Sequence, residues 1–221
     1  MRDFFRQQPS ATLLAAQLAG ILLYPFMKDN DAGRALFSLF GILILGLVIR
    51  IVRSKPGVTH VALVVGTPAA VLLLIQAATR SSELLPYSSA LEAILYFYVA
   101  GLLIAHLVGD PHVTRDDLFG IGATFTLLAW AFAYAFVVCQ AIEPGSFIAA
   151  TEGEHRTWIE LLFLSVTTLT STGLSDVVPV QPFARGLVMV EQLAGVGFVA
   201  VLVSRLVALT VVAREHEHHG R

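Results

Sequence analysis

The chain has 221 residues, of which 56% are hydrophobic and 14% charged, with a mean hydropathy of +0.76. Charged residues normally make up about a quarter of a soluble domain, so a water-soluble globule is excluded and a polytopic membrane protein is expected. The formal net charge of −2 lacks the basic face that a nucleic-acid partner requires. The single cysteine, Cys139, sits inside an apolar run, where it can form neither an intrachain disulfide nor a metal quartet. It reads as a small buried apolar residue.

Arg2 and Arg6 precede the first apolar run, Ala11 to Met27, which no small-residue cleavage site follows before Lys28. This run is therefore a first spanning helix and not a signal peptide. A second covers Ala35 to Val52 and is bordered by Arg50, Arg53 and Lys55. A third extends from Val58 to Ala78 with Pro68 inside it, where one intrahelical hydrogen bond must be missing. A fourth goes from Ser88 to Val108 and carries Glu92 and His106, each near an end and expected in a packing or interfacial role. A fifth spans Asp117 to Cys139, opened by Thr114-Arg115-Asp116-Asp117, whose T-x-x-D spacing is a loose capping box. Each run is near the roughly 20 residues a helix needs to cross about 30 Å of hydrocarbon.

From Ile142 to Arg156 the chain turns polar, and Thr157-Trp158-Ile159-Glu160 then supplies a T-x-x-E capping box ahead of an apolar run ending at Leu169. About 13 residues at 1.5 Å each reach roughly 20 Å, which is too short to cross. Thr170, Ser171, Thr172, Gly173, Leu174, Ser175 and Asp176 follow, then Pro179 and Pro182, then a long apolar run from Phe183 to Val212. Hydroxyl residues and a glycine between a half-length and a full-length helix have the layout of a pore loop. Dehydrating a cation requires oxygens, and backbone carbonyls with Thr and Ser hydroxyls supply them without a fixed charge. Irregular backbone at membrane depth is tolerated only where protein buries it or a wet cavity solvates it. The expected fold is an all-α membrane protein of six spans, with a re-entrant pore helix and filter loop between the fifth and sixth.

The stretch Trp158 to Leu209 resembles the pore domain of the potassium channel superfamily. That family's pattern is a pore helix, T-x-T-T-V-G-Y-G-D, a short proline-containing link and a glycine-bearing inner helix. The shared features here are Thr168-Leu169-Thr170, Gly173, Asp176, Val178-Pro179-Val180, Ala184-Arg185 and the inner-helix tail Ala200 to Leu206. The departures fall where the ion is chosen: Ser171 and Thr172 stand for threonine and valine, Leu174 for tyrosine, Ser175 for the second glycine. Left-handed backbone at Ser175 would cost roughly 1–2 kcal/mol, or else its carbonyl aims elsewhere. Leu174 cannot hydrogen-bond to the pore helix, and Phe163 and Leu164 offer it no polar partner. The one-glycine loop Ser171-Thr172-Gly173-Leu174-Ser175 is also locally similar to the Trk/Ktr/HKT potassium transporters. The resemblance implies fewer ion sites than the family's filter and reduced discrimination between potassium and sodium.

It further implies a homotetramer, since one loop lines a quarter of a pore, with membrane lipids as the other partner. The four pore helices would point their partially negative ends at a central cavity. K+ or Na+ would bind at Ser171, Thr172 and Gly173, through hydroxyl and carbonyl oxygens, and no other cofactor is expected. Asp176 would concentrate cations at the outer mouth. Gly195 and Gly197 would serve either as a gating hinge or for close packing of small residues. A non-conducting channel-like scaffold or sensor is the alternative.

The expected organisation is a four-helix membrane domain over 1–109, a pore domain over 110–212 and a cytoplasmic tail over 213–221. The first domain holds the position of a voltage sensor, but its fourth run has no Lys or Arg, so steep voltage gating of that kind is not expected. Six spans put both termini on one side of the cell membrane. That side takes nine of the Lys and Arg residues against five, which places it in the cytoplasm. No nucleotide- or calcium-binding module is expected after the last span, and Glu215-His216-Glu217-His218-His219 reads as a solvated tail. An enzyme is not expected: a serine hydrolase built on Ser175 needs a base at membrane depth, and the later histidines lie beyond the final span.

Overall fold

The computed structural model describes residues 8–27, 31–52, 56–79, 83–109, 114–150 and 155–219. Side chains are described over 8–24, 39–50, 59–79, 83–109, 114, 116–150 and 155–205. Seven helices follow one another in them: α1 (Pro9–Met27), α2 (Asp31–Val52), α3 (Pro56–Thr79), α4 (Leu85–Gly109), α5 (Arg115–Ile142), α6 (Trp158–Leu169) and α7 (Pro182–His219). Four are long and apolar enough to cross a membrane, over Thr59–Thr79, Leu85–Gly109, Asp116–Ile142 and Pro182–Arg205. The described apolar stretches of α1 and α2 are shorter, Pro9–Tyr24 and Leu39–Arg50. The protein is thus a largely helical membrane protein. The basic residues Arg2, Arg6, Lys28, Arg53, Lys55, Arg80 and Arg221 lie outside the described residues, as do the side chains of the His-rich tail.

Helix starts follow their capping residues. Thr114 and Asp117 exchange two bonds at the head of α5: the Thr114 N–H donates to Asp117 Oδ2 at 2.7 Å, and the Asp117 N–H to Thr114 Oγ1 at 3.2 Å. At the head of α6 the Glu160 carboxylate accepts from both the N–H and the hydroxyl of Thr157, each at 2.6 Å. A second contact of the α5 head fixes the amino-terminal helix. Asp116 accepts from the Ser10 N–H at 3.2 Å and from its hydroxyl at 2.8 Å.

Helix α5 is the spine. Helices α1 and α4 pack on it from the amino-terminal half of the chain, and α6 and α7 from the carboxy-terminal half. Of its most apolar stretch 67% is buried, against 17% for that of α7. Trp130, Phe136 and Leu127 of α5 are among the largest fully buried side chains. Two edge-to-face pairs lock it to its neighbours, Phe97–Phe132 at 4.8 Å and Trp130–Trp158 at 5.0 Å between ring centroids. Such pairs contribute about 0.5–1.5 kcal/mol each beyond the area they bury.

One departure from an all-helical chain appears. Residues Phe147–Ile148 (β1) and Val178–Pro179 (β2) form a short antiparallel pair, Phe147 opposite Pro179 and Ile148 opposite Val178. The Val180 N–H extends it, donating to the Ser146 carbonyl at 2.9 Å. The pair ties the segment before α6 to the link after it.

Candidate functional site

Helix α6 is held at both ends. At its entrance the Gln140 side chain of α5 grips the backbone of Arg156, donating to the Arg156 carbonyl and accepting from the Arg156 N–H, both at 2.9 Å. This mimics one rung of a sheet and fixes where the helix begins. Arg156 then pairs with Glu160 at 3.9 Å, one turn along. With only 12 residues, α6 rises about 18 Å before its backbone must find other partners.

Those partners are its own following residues. The N–H of Ser171 donates to the Thr168 carbonyl at 2.9 Å, and the N–H groups of Thr172 and Gly173 both donate to the Thr167 carbonyl, at 2.9 and 3.1 Å. The pairings of Ser171 with Thr168 and of Thr172 with Thr167 form a Schellman cap, which requires a left-handed residue just past the helix. Ser171 takes that conformation, with φ +58°, and Gly173 repeats it with φ +66°. Thr170 between helix and cap stays right-handed, φ −81° and ψ −4°.

Alternating right- and left-handed residues gather successive N–H groups on one side of the chain. Here the N–H groups of Thr170, Ser171, Thr172 and Gly173 all bond back to carbonyls in the last turns of α6. Among the described residues the carbonyls of Thr170, Ser171, Thr172 and Gly173 accept no hydrogen bond. The two threonine hydroxyls point back to the helix: Thr170 Oγ1 donates to the Val166 carbonyl at 2.7 Å, and Thr172 Oγ1 to the Thr167 carbonyl at 3.2 Å. All four residues are exposed in the single chain. The arrangement is a short row of backbone oxygens at the negative end of a helix, suited to a cation and hostile to an anion.

The outer part of the predicted site differs. Leu174 is 78% exposed, and Asp176 is exposed as well. Ser175 is not left-handed; Ser171 is the described non-glycine residue with positive φ. The Ser175 hydroxyl instead accepts the Val177 N–H at 3.0 Å and turns the chain towards β2. Of the two glycines of α7, Gly195 abuts the Leu169 carbonyl so closely that a β-carbon would overlap it, whereas Gly197 has open space around it.

Two buried carboxyl groups stand near this frame. Glu92 lies inside the bundle and not at an interface, 1% exposed, and its Oε1 has no hydrogen-bond partner among the described residues. Glu191 of α7 is fully buried against α6, where the Ser165 hydroxyl donates to its Oε1. The sequence reading singles out Glu92 and passes over Glu191, although an acidic residue in the run Leu187 to Val196 carries the same signal.

Residues 122–211 match the family model described as an ion channel. The match starts within α5 and ends within α7, so it takes in α6 and its loop and leaves α1 to α4 outside. No curated protein and no solved structure matches the chain. The chain is therefore a membrane protein whose carboxy-terminal part is similar to ion channels.

Proposed function

We propose that this chain is one subunit of a homotetrameric cation channel of the potassium-channel type, in which the loop Thr170–Gly173 forms the filter. One observation carries the reading: four exposed, unengaged carbonyls at the end of a half-length helix, their N–H groups all turned inward. A single loop of this kind surrounds nothing, and four copies round an axis would enclose an oxygen-lined path. The ions are monovalent, K+ and also Na+, bound by carbonyls from Ser171 to Gly173. In this reading the six long helices span the cell membrane with both termini in the cytoplasm, and α6 with its loop is re-entrant. Helices α1 to α4, residues 1–109, form a separate membrane domain, 110–212 the pore domain and 213–221 the tail. Asp176 draws cations to the outer mouth. The engagement of the Ser175 hydroxyl with Val177 favours a structural over a hydrolytic role for that serine.

Cation flux into liposomes under opposed potassium and sodium gradients tests the proposal. The wild type carries cations with a weak preference for potassium, and Leu174→Tyr with Ser175→Gly sharpens that preference. No flux above empty liposomes contradicts the channel reading, and leaves a scaffold or sensor. Equal reversal potentials for wild type and double variant contradict only the assignment of selectivity to the outer half of the loop.

A further inference from the structure

Helices α6 and α7 meet at two points, each one turn from the other. Ser165 and Leu169 are four residues apart on α6; Glu191 and Gly195 are four apart on α7, so each pair lies on one helix face. At the first point the Ser165 hydroxyl reaches Glu191 Oε1 and also, at 2.8 Å, the Ala129 carbonyl of α5. A hydroxyl has one proton to donate, so these two acceptors divide it. At the second point Gly195 lets the α7 backbone close on the Leu169 carbonyl. Ser165 and Glu191 are both 0% exposed. Oε2 of Glu191 has no hydrogen-bond partner among the described residues, so the polar engagement of this carboxyl goes to Ser165.

Such a group is costly inside a membrane helix. Packing alone does not call for it, because well-fitted apolar side chains in place of a buried polar pair are often neutral or stabilising. What the pair does is fix the register of α6 against α7. Two and three residues beyond Ser165 lie the carbonyls of Thr167 and Thr168, on which the N–H groups of the loop are anchored.

Resting on the channel reading, we infer that Glu191 is a positioning residue for the filter: through Ser165 it holds α6, and so the loop anchored on the end of α6, to helix α7. Movement of α7 is then movement of the filter, and the inner helix and the ion path respond together.

Hydrogen exchange of the amides in residues 168–176, in the full chain reconstituted in lipid nanodiscs, tests this. Glu191→Gln keeps an oxygen acceptor of the same shape and leaves exchange within about twofold of wild type. Glu191→Leu and the milder Ser165→Ala each raise it about tenfold, the worth of one buried hydrogen bond. The double variant Ser165→Ala with Glu191→Leu exceeds neither, while exchange in α4 stays at the wild-type level in all four. Wild-type exchange in both single variants, exchange in Glu191→Gln equal to that in Glu191→Leu, or additive effects in the double variant would overturn the assignment. Cation flux measured on the same proteins separates the two claims: absent wild-type flux refutes the channel, whereas the exchange pattern alone decides the role of Glu191.

Discussion

Ser171 is where local backbone physics and the ion path coincide. A helix that ends in a Schellman cap needs a left-handed residue, and glycine or asparagine is usual there because a side chain costs roughly 1–2 kcal/mol. By register with a filter of two glycines, the sequence reading gives Ser175 either a carbonyl aimed elsewhere or left-handed strain. The structure places it at Ser171, since the helix stops at Leu169 and the cap follows from that end point. Neither Thr170 nor Ser171 is a residue type that announces such a cap, so this was not legible, whereas Gly173 at its positive φ was. Ser171→Gly removes the strain at the expense of unfolded-chain entropy and stabilises the protein by about 0.5–1 kcal/mol, as thermal unfolding in detergent will measure. Gly173→Ala meets open space but an unfavourable φ of +66°, and loses about 1–2 kcal/mol together with cation flux. An Ala variant as stable and as conductive as wild type would argue against a left-handed residue 173.

Among the elements, the helices were legible and the short strand pair was not. Apolar runs headed by T-x-x-D and T-x-x-E give α5 and α6 to within a few residues, because capping side chains fix where backbone bonding starts. Two paired residues in β1 and β2 have no periodicity to read, and neither does the Gln140 grip on Arg156, which joins residues 16 apart. The tertiary approach of α7 to α6 was likewise hidden, and it separates two glycines that look alike in sequence. Gly195→Ala drives a methyl group into the Leu169 carbonyl and costs about 1–3 kcal/mol, whereas Gly197→Ala is neutral for stability. If Gly197 is a hinge, its alanine variant still folds but shows lower channel open probability, since Ala restricts the backbone. Single-channel recording and thermal unfolding of the two variants separate packing from hinge. Gln140→Leu removes both Gln140 hydrogen bonds to the Arg156 backbone at the head of α6 and destabilises by about 2–3 kcal/mol in the same unfolding measurement.

At the scale of the molecule, α5 buries its surface within one chain and α7 does not. Met189, Leu193, Val196 and Val199 line one face of α7 and are all well exposed, Leu193 to 75%. Lipid can cover this apolar face, but the exposed hydroxyl loop of the proposed filter has no such cover, and a closed ring of copies would enclose it. The account predicts four chains per particle by native mass spectrometry in mild detergent, and a Leu193→Lys variant that shifts the particle to monomers. A monomeric wild type would remove the basis for a shared pore. The largely helical, membrane-spanning character and the position of the loop between α6 and α7 were visible in the sequence because hydrophobic length and hydroxyl clustering are properties of one chain. Which face of α7 the single chain leaves uncovered depends on which residues it has already buried, and needed the structure.

The most direct measurement is the location of a heavy monovalent cation, rubidium or thallium, in an experimental structure of the assembled protein in lipid. The account predicts density on a four-fold axis, ringed by the carbonyl oxygens of Ser171, Thr172 and Gly173 from each chain. A loop that faces lipid, or an axis that passes elsewhere with no ion against these oxygens, would contradict it.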